Sequence, residues 1–247
     1  MGRAFEYRRA AKEKRWDKMS KLFPKLGKAI TMAAKAGVPD PEMNAALRTA
    51  IINAKSENMP KDKIEAAVKR AAGKDAANFE QINYEGKGPH GVLVFVECAT
   101  DNSTRTVANV RSFFNKYDGA MVPTGSLEYM FNRKAVFEFA LPEGKDPDEI
   151  ELELIDYGVE SIEKAANEED EDEDEPSNSY FAYSDYKSFG DMSSGFEKID
   201  IEVSKACLKR FPTTPINLDD TELLDVEKLL DKLEDDEDVQ AVYTNIE

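Results

Sequence analysis

At Gly73 the hydrophobic period of this chain changes, and one residue later the sign of its charge changes too. Upstream, apolar residues recur every three or four positions, the spacing of an amphipathic helix. Downstream the pattern becomes one of short strands alternating with helices. The first 74 residues carry 18 Lys/Arg against 8 Asp/Glu, a net of +10. The other 173 carry 15 against 42, a net of −27, and the whole 247-residue chain is −17. A basic helical piece followed by an acidic α+β piece fits this division, and the length accommodates two or three domains. Screening over about 8 Å at physiological salt lets each charged region act locally, so overall acidity does not exclude a polyanionic partner for the basic end. The acidity also keeps the rest of the surface off that partner.

Three short helices account for the basic segment. The first apolar set is Trp16, Met19, Phe23, Leu26 and Ile30, while Lys14, Lys18, Lys21, Lys25 and Lys28 repeat the spacing on the opposite face. Pro24 is expected to kink this helix or to start a second one. Asp40-Pro41 reads as the cap and first residue of the next helix, with Met43, Leu47, Ile51 and Ala54 inward. Pro60 opens the third, with Ile64, Val68 and Ala71 on one face and Gly73 at its end.

Beyond Gly73, Phe79–Glu85 and Gly91–Cys98 read as a strand pair, Thr104–Tyr117 as a helix and Leu127–Phe131 as a short strand. Next comes a βαββαβ unit: strand Ala135–Phe139, helix Pro147–Tyr157, strands Ser161–Ala165 and Tyr180–Tyr183, helix Tyr186–Gly195 and strand Glu197–Ala206. That order is ferredoxin-like. The final helix and strand, Thr221–Leu233 and Val239–Asn245, are too small to stand alone and are expected to complete the sheet begun at Phe79. The fold expected is α+β in three domains. Residues 1–76 form a basic three-helix domain; 77–132 with 207–247 form a discontinuous α+β domain; 133–206 form a ferredoxin-like domain inserted into the second. The unbroken acidic run Glu168–Glu175 falls in a loop of that insertion. It reads as a solvated surface addition rather than a binding site.

Enzymatic readings find little support. His90 is the single histidine and lies in a glycine-rich hairpin, so no metal cluster forms around it. The Gly86–Gly91 loop joins two strands, whereas a phosphate-cradling loop leads from strand to helix. GxSxG and HExxH are absent, and the carboxylates fall in solvated runs rather than a convergent pair. Cys98 and Cys207 lie outside any CxxC and read as reduced core thiols. No enzyme, cofactor or metal is expected. No apolar run approaches membrane-spanning length, and the N-terminus lacks the apolar core of a secretory signal. The expected location is cytoplasmic.

Two features point to nucleic acid. One is the N-terminal tail and stripe: Arg3, Arg8, Arg9, Lys12, Lys14, Arg15, Lys18, Lys21 and Lys25, with Phe5, Tyr7 and Trp16 interleaved where they could stack on bases. The bland alternative is a solvated helix face with Trp16 as a core anchor; for Trp16 alone the core is favoured. The other is Thr100-Asp101-Asn102-Ser103-Thr104-Arg105-Thr106, where a strand ends and a helix begins. Capping side chains, free N–H groups and Arg105 converge there as at a phosphate-binding helix N-terminus. An ordinary cap with Arg105 in a surface ion pair weighs equally. If the site holds an external anion, Arg105 matters for binding and little for stability. No helix with an Arg/Asn/Gln cluster suited to base edges is evident from the sequence.

Several stretches resemble the YebC/PmpR family. Asn58-Met59-Pro60-Lys61-Asp62-Lys63-Ile64 with Lys69-Arg70 is similar to NMPKDNI…KR, and Tyr84-Glu85-Gly86 through Gly91-Val92 to YEGYGPGGV. Thr100-Asp101-Asn102 with Arg105-Thr106-Val107 resembles TDNxxRT, and Gly125-Ser126-Leu127 with Phe131 resembles GSVxxxF. Leu233-Glu234-Asp235, Asp238-Val239-Gln240 and Val242-Tyr243 resemble LED…DVQxVY. The resemblance runs from end to end and implies the three-domain arrangement above. It further implies a cytoplasmic DNA-binding transcriptional regulator. Some members of the family are instead translation factors acting on ribosomes stalled at proline runs, and a mitochondrial branch activates translation. Two departures stand out: Gly2-Arg3-Ala4-Phe5-Glu6-Tyr7 replaces the usual GHSKW start, and the acidic run is an addition.

Residues and resemblance together lead to a non-enzymatic regulator that binds DNA. The alternatives are a translation factor on the ribosome, binding ribosomal RNA or tRNA, and an acidic adaptor for a basic protein. The expected contacts are the tail and stripe residues above, together with Lys69, Arg70, Asn102 and Arg105.

Overall fold

Helix α1 runs from Arg3 to Ala36, 34 residues with Pro24 inside it. That is about 51 Å of helix. The computed structural model describes the chain except residues 1–2, 72, 74–77 and 166–177, and of residues 3–18 it describes the backbone alone. The acidic run 168–175 and the side chains from Arg3 to Lys18, Trp16 included, therefore lie outside the described residues. Pro24 does not end the helix, as one of the two expectations had it. It removes one backbone donor, a cost of about 3 kcal/mol, but apolar residues on both sides of it pack into one core. Phe23, Ile30 and Ala34 of α1 meet Leu47 and Ala54 of α2 (Ala45–Ser56) and Ile64 and Ala67 of α3 (Lys61–Ala71). The cap of α2 is Asn44, whose side chain accepts from the Leu47 N–H at 3.1 Å, and not Asp40. Asp40 instead opens a turn, accepting from the Glu42 N–H at 2.9 Å. Met43, expected inward, therefore precedes the helix and is 74% exposed.

The first sheet has strand order β3-β1-β2-β8, with all neighbours antiparallel. Its strands are β1 (Glu80–Lys87), β2 (Leu93–Thr100), β3 (Ala120–Val122) and β8 (Val239–Thr244). Helices α4 (Ser103–Lys116) and α7 (Asp220–Asp235) cover one face. Alternation decides which side chains they meet. Val94, Val96 and Cys98 of β2 join Val110, Phe114, Leu229 and Leu233 of the helices. Phe95 points the other way, to Leu127 and Phe131, with the two phenylalanine rings edge-on at 5.9 Å. Gly86 must be glycine, since a Cβ there would stand 2.4 Å from the Phe114 ring.

Residues Asn132–Phe211 form a compact unit apart from the rest of the chain. The helical segment clusters with the first sheet in the other unit. The element order in the second unit is β4 (Phe131–Ala140), α5 (Pro147–Leu154), β5 (Val159–Lys164), β6 (Ser179–Asp185), α6 (Phe189–Lys198) and β7 (Val203–Pro212). Its sheet order is β5-β6-β4-β7. Phe137, Phe139, Ile150, Leu154, Met192 and Phe196 fill the core between sheet and helices. Two expected elements differ most. Leu127–Phe131 is a 3-10 turn at Glu128–Met130, after which Phe131 begins β4. The last strand starts at Val203 rather than Glu197, because Phe196 sits inside α6 and is buried there. The compact unit runs to Phe211, within β7.

Candidate nucleic-acid interface

The lysine face of α1 meets the acidic end of α7 in its second half. Lys21 pairs with Asp235 at 2.7 Å. Lys25 donates to the Glu234 carbonyl at 2.6 Å, near the C-terminus of α7, where the helix dipole favours a cation. Lys28 donates to the Ala99 and Glu237 carbonyls at 2.8 and 2.9 Å and to Asp238 Oδ1 at 3.0 Å. Burial lowers the Lys25 ammonium below the ordinary lysine value, and Glu234, Asp236 and Asp235 oppose that shift.

Asp238 is the hub of this contact. It is 4% exposed. Its Oδ2 accepts from Arg105 Nη2 at 2.7 Å and Nε at 3.2 Å, and the hydroxyls of Thr106 and Thr100 lie 2.9 and 3.1 Å away. With Lys28 on Oδ1, two cations and two hydroxyls surround one carboxylate. Burial alone would raise its pKa; donation by Arg105, Lys28 and Thr106 overrides this and holds the carboxyl down to about 2. Nearby, burial pushes the Cys98 thiol up to about 12, reinforced by Asp236 and Asp238. That thiol is protonated and unreactive at neutral pH.

The expected anion site at the start of α4 is therefore filled from within the chain. Asn102 caps the helix, accepting from the Arg105 N–H at 3.0 Å. Arg105 bonds Asp101 at 2.9 Å as well as Asp238. A cation in the first turn of a helix is poorly placed against the dipole, and these two carboxylates compensate for that. The carboxylate of the YEG-like stretch is structural too. Glu85 is buried and accepts from the Gly125 and Leu127 N–H groups at 2.6 and 2.5 Å, which fixes the Gly125-Ser126-Leu127 turn. His90 adopts φ 56° in its hairpin and lies 3.5 and 3.4 Å from Glu222 and Asp225 of α7. Among the described residues, no group of three or more His, Cys, Asp or Glu is arranged to hold a metal.

Of the expected contacts, Lys21, Lys25 and Arg105 are thus engaged with the α7–β8 turn, and Asn102 is a cap. Lys69 and Arg70 are exposed in the last turn of α3. Arg3, Arg8, Arg9, Lys12, Lys14, Arg15 and Lys18 lie on the described backbone of α1 but outside its described side chains. Asp238 escaped the sequence reading as the partner of Arg105, because 133 residues separate them. The Asp238-Val239-Gln240 stretch was the one signal that pointed to it.

These features define an α+β protein with two antiparallel sheets, whose basic helical segment is bolted through lysines to an acidic helix end. The chain belongs to the TACO1/YebC family: the N-terminal domain of that family matches residues 3–74, and its second and third domains match 79–246. A "Probable transcriptional regulatory protein" of Helicobacter hepaticus is 61% identical over 248 residues, covering 100% of both chains. One of Wolinella succinogenes, with the same description, is 59% identical over 247 residues, again covering 100% of both. Among solved structures, the conserved hypothetical protein Aq1575 of Aquifex aeolicus is similar, with a TM-score of 0.72 and 33% identity over 92% of this chain and 90% of that one. No helix among the described residues is long and apolar enough to cross a membrane.

Proposed function

We propose that this chain is a non-enzymatic, cytoplasmic, DNA-binding transcriptional regulator. Its contacts come from the first half of α1, through Arg3, Arg8, Arg9, Lys12, Lys14, Arg15 and Lys18, with Lys69 and Arg70 of α3. One observation carries the reading: a net charge of +10 on residues 1–74 in a chain that is otherwise −27. The descriptions of the relatives as transcriptional regulators support it. Lys21, Lys25 and Lys28 leave the set of free phosphate contacts because carboxylates and carbonyls of α7 and its following turn hold them. In this reading the helical segment is the DNA-binding domain. The first sheet with α4 and α7 is the α+β domain, and the βαββαβ unit is a ferredoxin-like insertion.

The test is the salt dependence of duplex-DNA binding. Replacing Lys12, Lys14, Arg15 and Lys18 with Ala should weaken binding. The slope of log affinity against log salt should fall by about 0.9 for each phosphate that the variant no longer neutralises. An unchanged slope would remove α1 from the interface. Binding to structured RNA above that to any DNA duplex would move the target to RNA.

A further inference from the structure

Helix α4 has two long faces in opposite electrostatic settings. On one, Arg105, Asn109 and Phe113 line a groove shared with the acidic turn 235–238. Asn109 donates to Asp236 at 2.9 Å there. A second stretch of its surface, centred about a quarter of a turn away, presents Ala108, Arg111, Ser112, Asn115 and Lys116 around a shallow concavity. All five residues are exposed. Arg111 makes no ion pair or hydrogen bond among the described residues. Lys116 stands over the Tyr117 ring at 5.4 Å, again with no carboxylate partner among them.

The composition of α4 departs from its surroundings. Of the 173 residues after Lys74, 42 are acidic, yet none of the 14 residues of α4 is. Asp101 and Asp118 lie just beyond its ends, and Asp101 is held by Arg105. Two cations without a carboxylate partner among the described residues, on a chain with so many acids, are complementary to an external polyanion.

Building on the DNA-binding reading, we propose that the outward face of α4 is a second DNA contact, with Arg111 and Lys116 on backbone phosphates. The two are five residues apart, about 7.5 Å of helix rise and about 140° around the axis, and they border the same concavity. Ala108 and Ser112 are small and let the helix backbone approach a duplex closely. Asn115, one turn after Arg111, adds the donor and acceptor of an amide, a group suited to base edges.

The experiment is fluorescence anisotropy of a labelled mixed-sequence DNA duplex, titrated with salt, using the full chain. Arg111→Ala with Lys116→Ala should weaken binding about tenfold or more near 0.1 M salt. It should lower the salt slope by about 1.8, which is about 0.9 for each of two phosphates. Melting temperature should not move, since both side chains are exposed. Arg111→Lys with Lys116→Arg should keep the wild-type slope. If wild-type protein binds the duplex and the double-alanine variant binds it equally, the α4 contact is wrong and the α1 reading stands. If wild-type protein does not bind the duplex at low salt, both fall. A loss confined to structured RNA overturns the DNA assignment for this face.

Discussion

Arg105 and Arg111 stand six residues apart on one helix and have opposite surroundings. Arg105 grips Asp238 and Asp101, within a network that reaches Lys28 of α1. Arg111 faces outward without a carboxylate partner among the described residues. On α1, Lys21, Lys25 and Lys28 are likewise held by the end of α7 and the turn after it. A cation's charge alone does not mark it as a ligand contact; whether the fold already supplies its anion does. The residues with the most distinctive sequence context, Thr100 to Thr106, belong to the internal network. The residues left for a ligand have plain surroundings.

The sharpest way to break this contrast is at Asp238. Asp238→Ala leaves Lys28, Arg105 and two threonine hydroxyls without their shared acceptor. It should destabilise the protein by about 3–5 kcal/mol in urea unfolding. Arg111→Ala should stay within about 0.5 kcal/mol of wild type. Gly86→Ala probes the sheet beneath α4. The added methyl meets the Phe114 ring at 2.4 Å, and overpacking of this kind costs about 1–3 kcal/mol.

Acid should dissolve the hub in a defined window. The Asp238 carboxyl has a folded pKa of about 2 against an ordinary 3.8. The unfolded chain therefore takes up the proton first as pH falls. The contribution, about 2 kcal/mol, is complete above about pH 5 and is lost progressively as pH falls through about 4 and then 2. Unfolding free energies of wild type and Asp238→Asn should converge across that range. A constant gap would show that the carboxylate's charge is not what the network uses. The smallest effect belongs to the exposed pair Lys21–Asp235, where Lys21→Ala should change stability by no more than about 0.5 kcal/mol.

Much of the fold was legible because period and turn chemistry are local. The strand pair around His90, α4, α7 and the βαββαβ order follow from spacing of apolar residues and from Gly and Pro positions. The misplaced elements have tertiary causes. Pro24 stays helical because α2 and α3 pack on both of its flanks, and Met43 is exposed because Asn44 caps α2 in place of Asp40. β3, only three residues long, forms because β1 offers it an edge. The candidate site was less legible for the same reason. Lys28 meets Asp238 across 210 residues of sequence, and no local pattern announces that a lysine stripe ends on the chain's own carboxylates. The bare outward face of α4 had a signal, the lack of acids, but its meaning needed the exposure of Arg111 and Lys116.

The most direct test of the contrast is the duplex-DNA affinity of Arg105→Ala, measured per folded molecule at a temperature where the variant is fully native, beside Arg111→Ala. The account predicts that Arg105→Ala lowers stability while its affinity stays within about twofold of wild type. Arg111→Ala should bind more weakly with stability unchanged, since one phosphate goes unneutralised and no buried partner is exposed. An Arg105→Ala protein that is as stable as wild type but binds DNA more weakly than Arg111→Ala would contradict it.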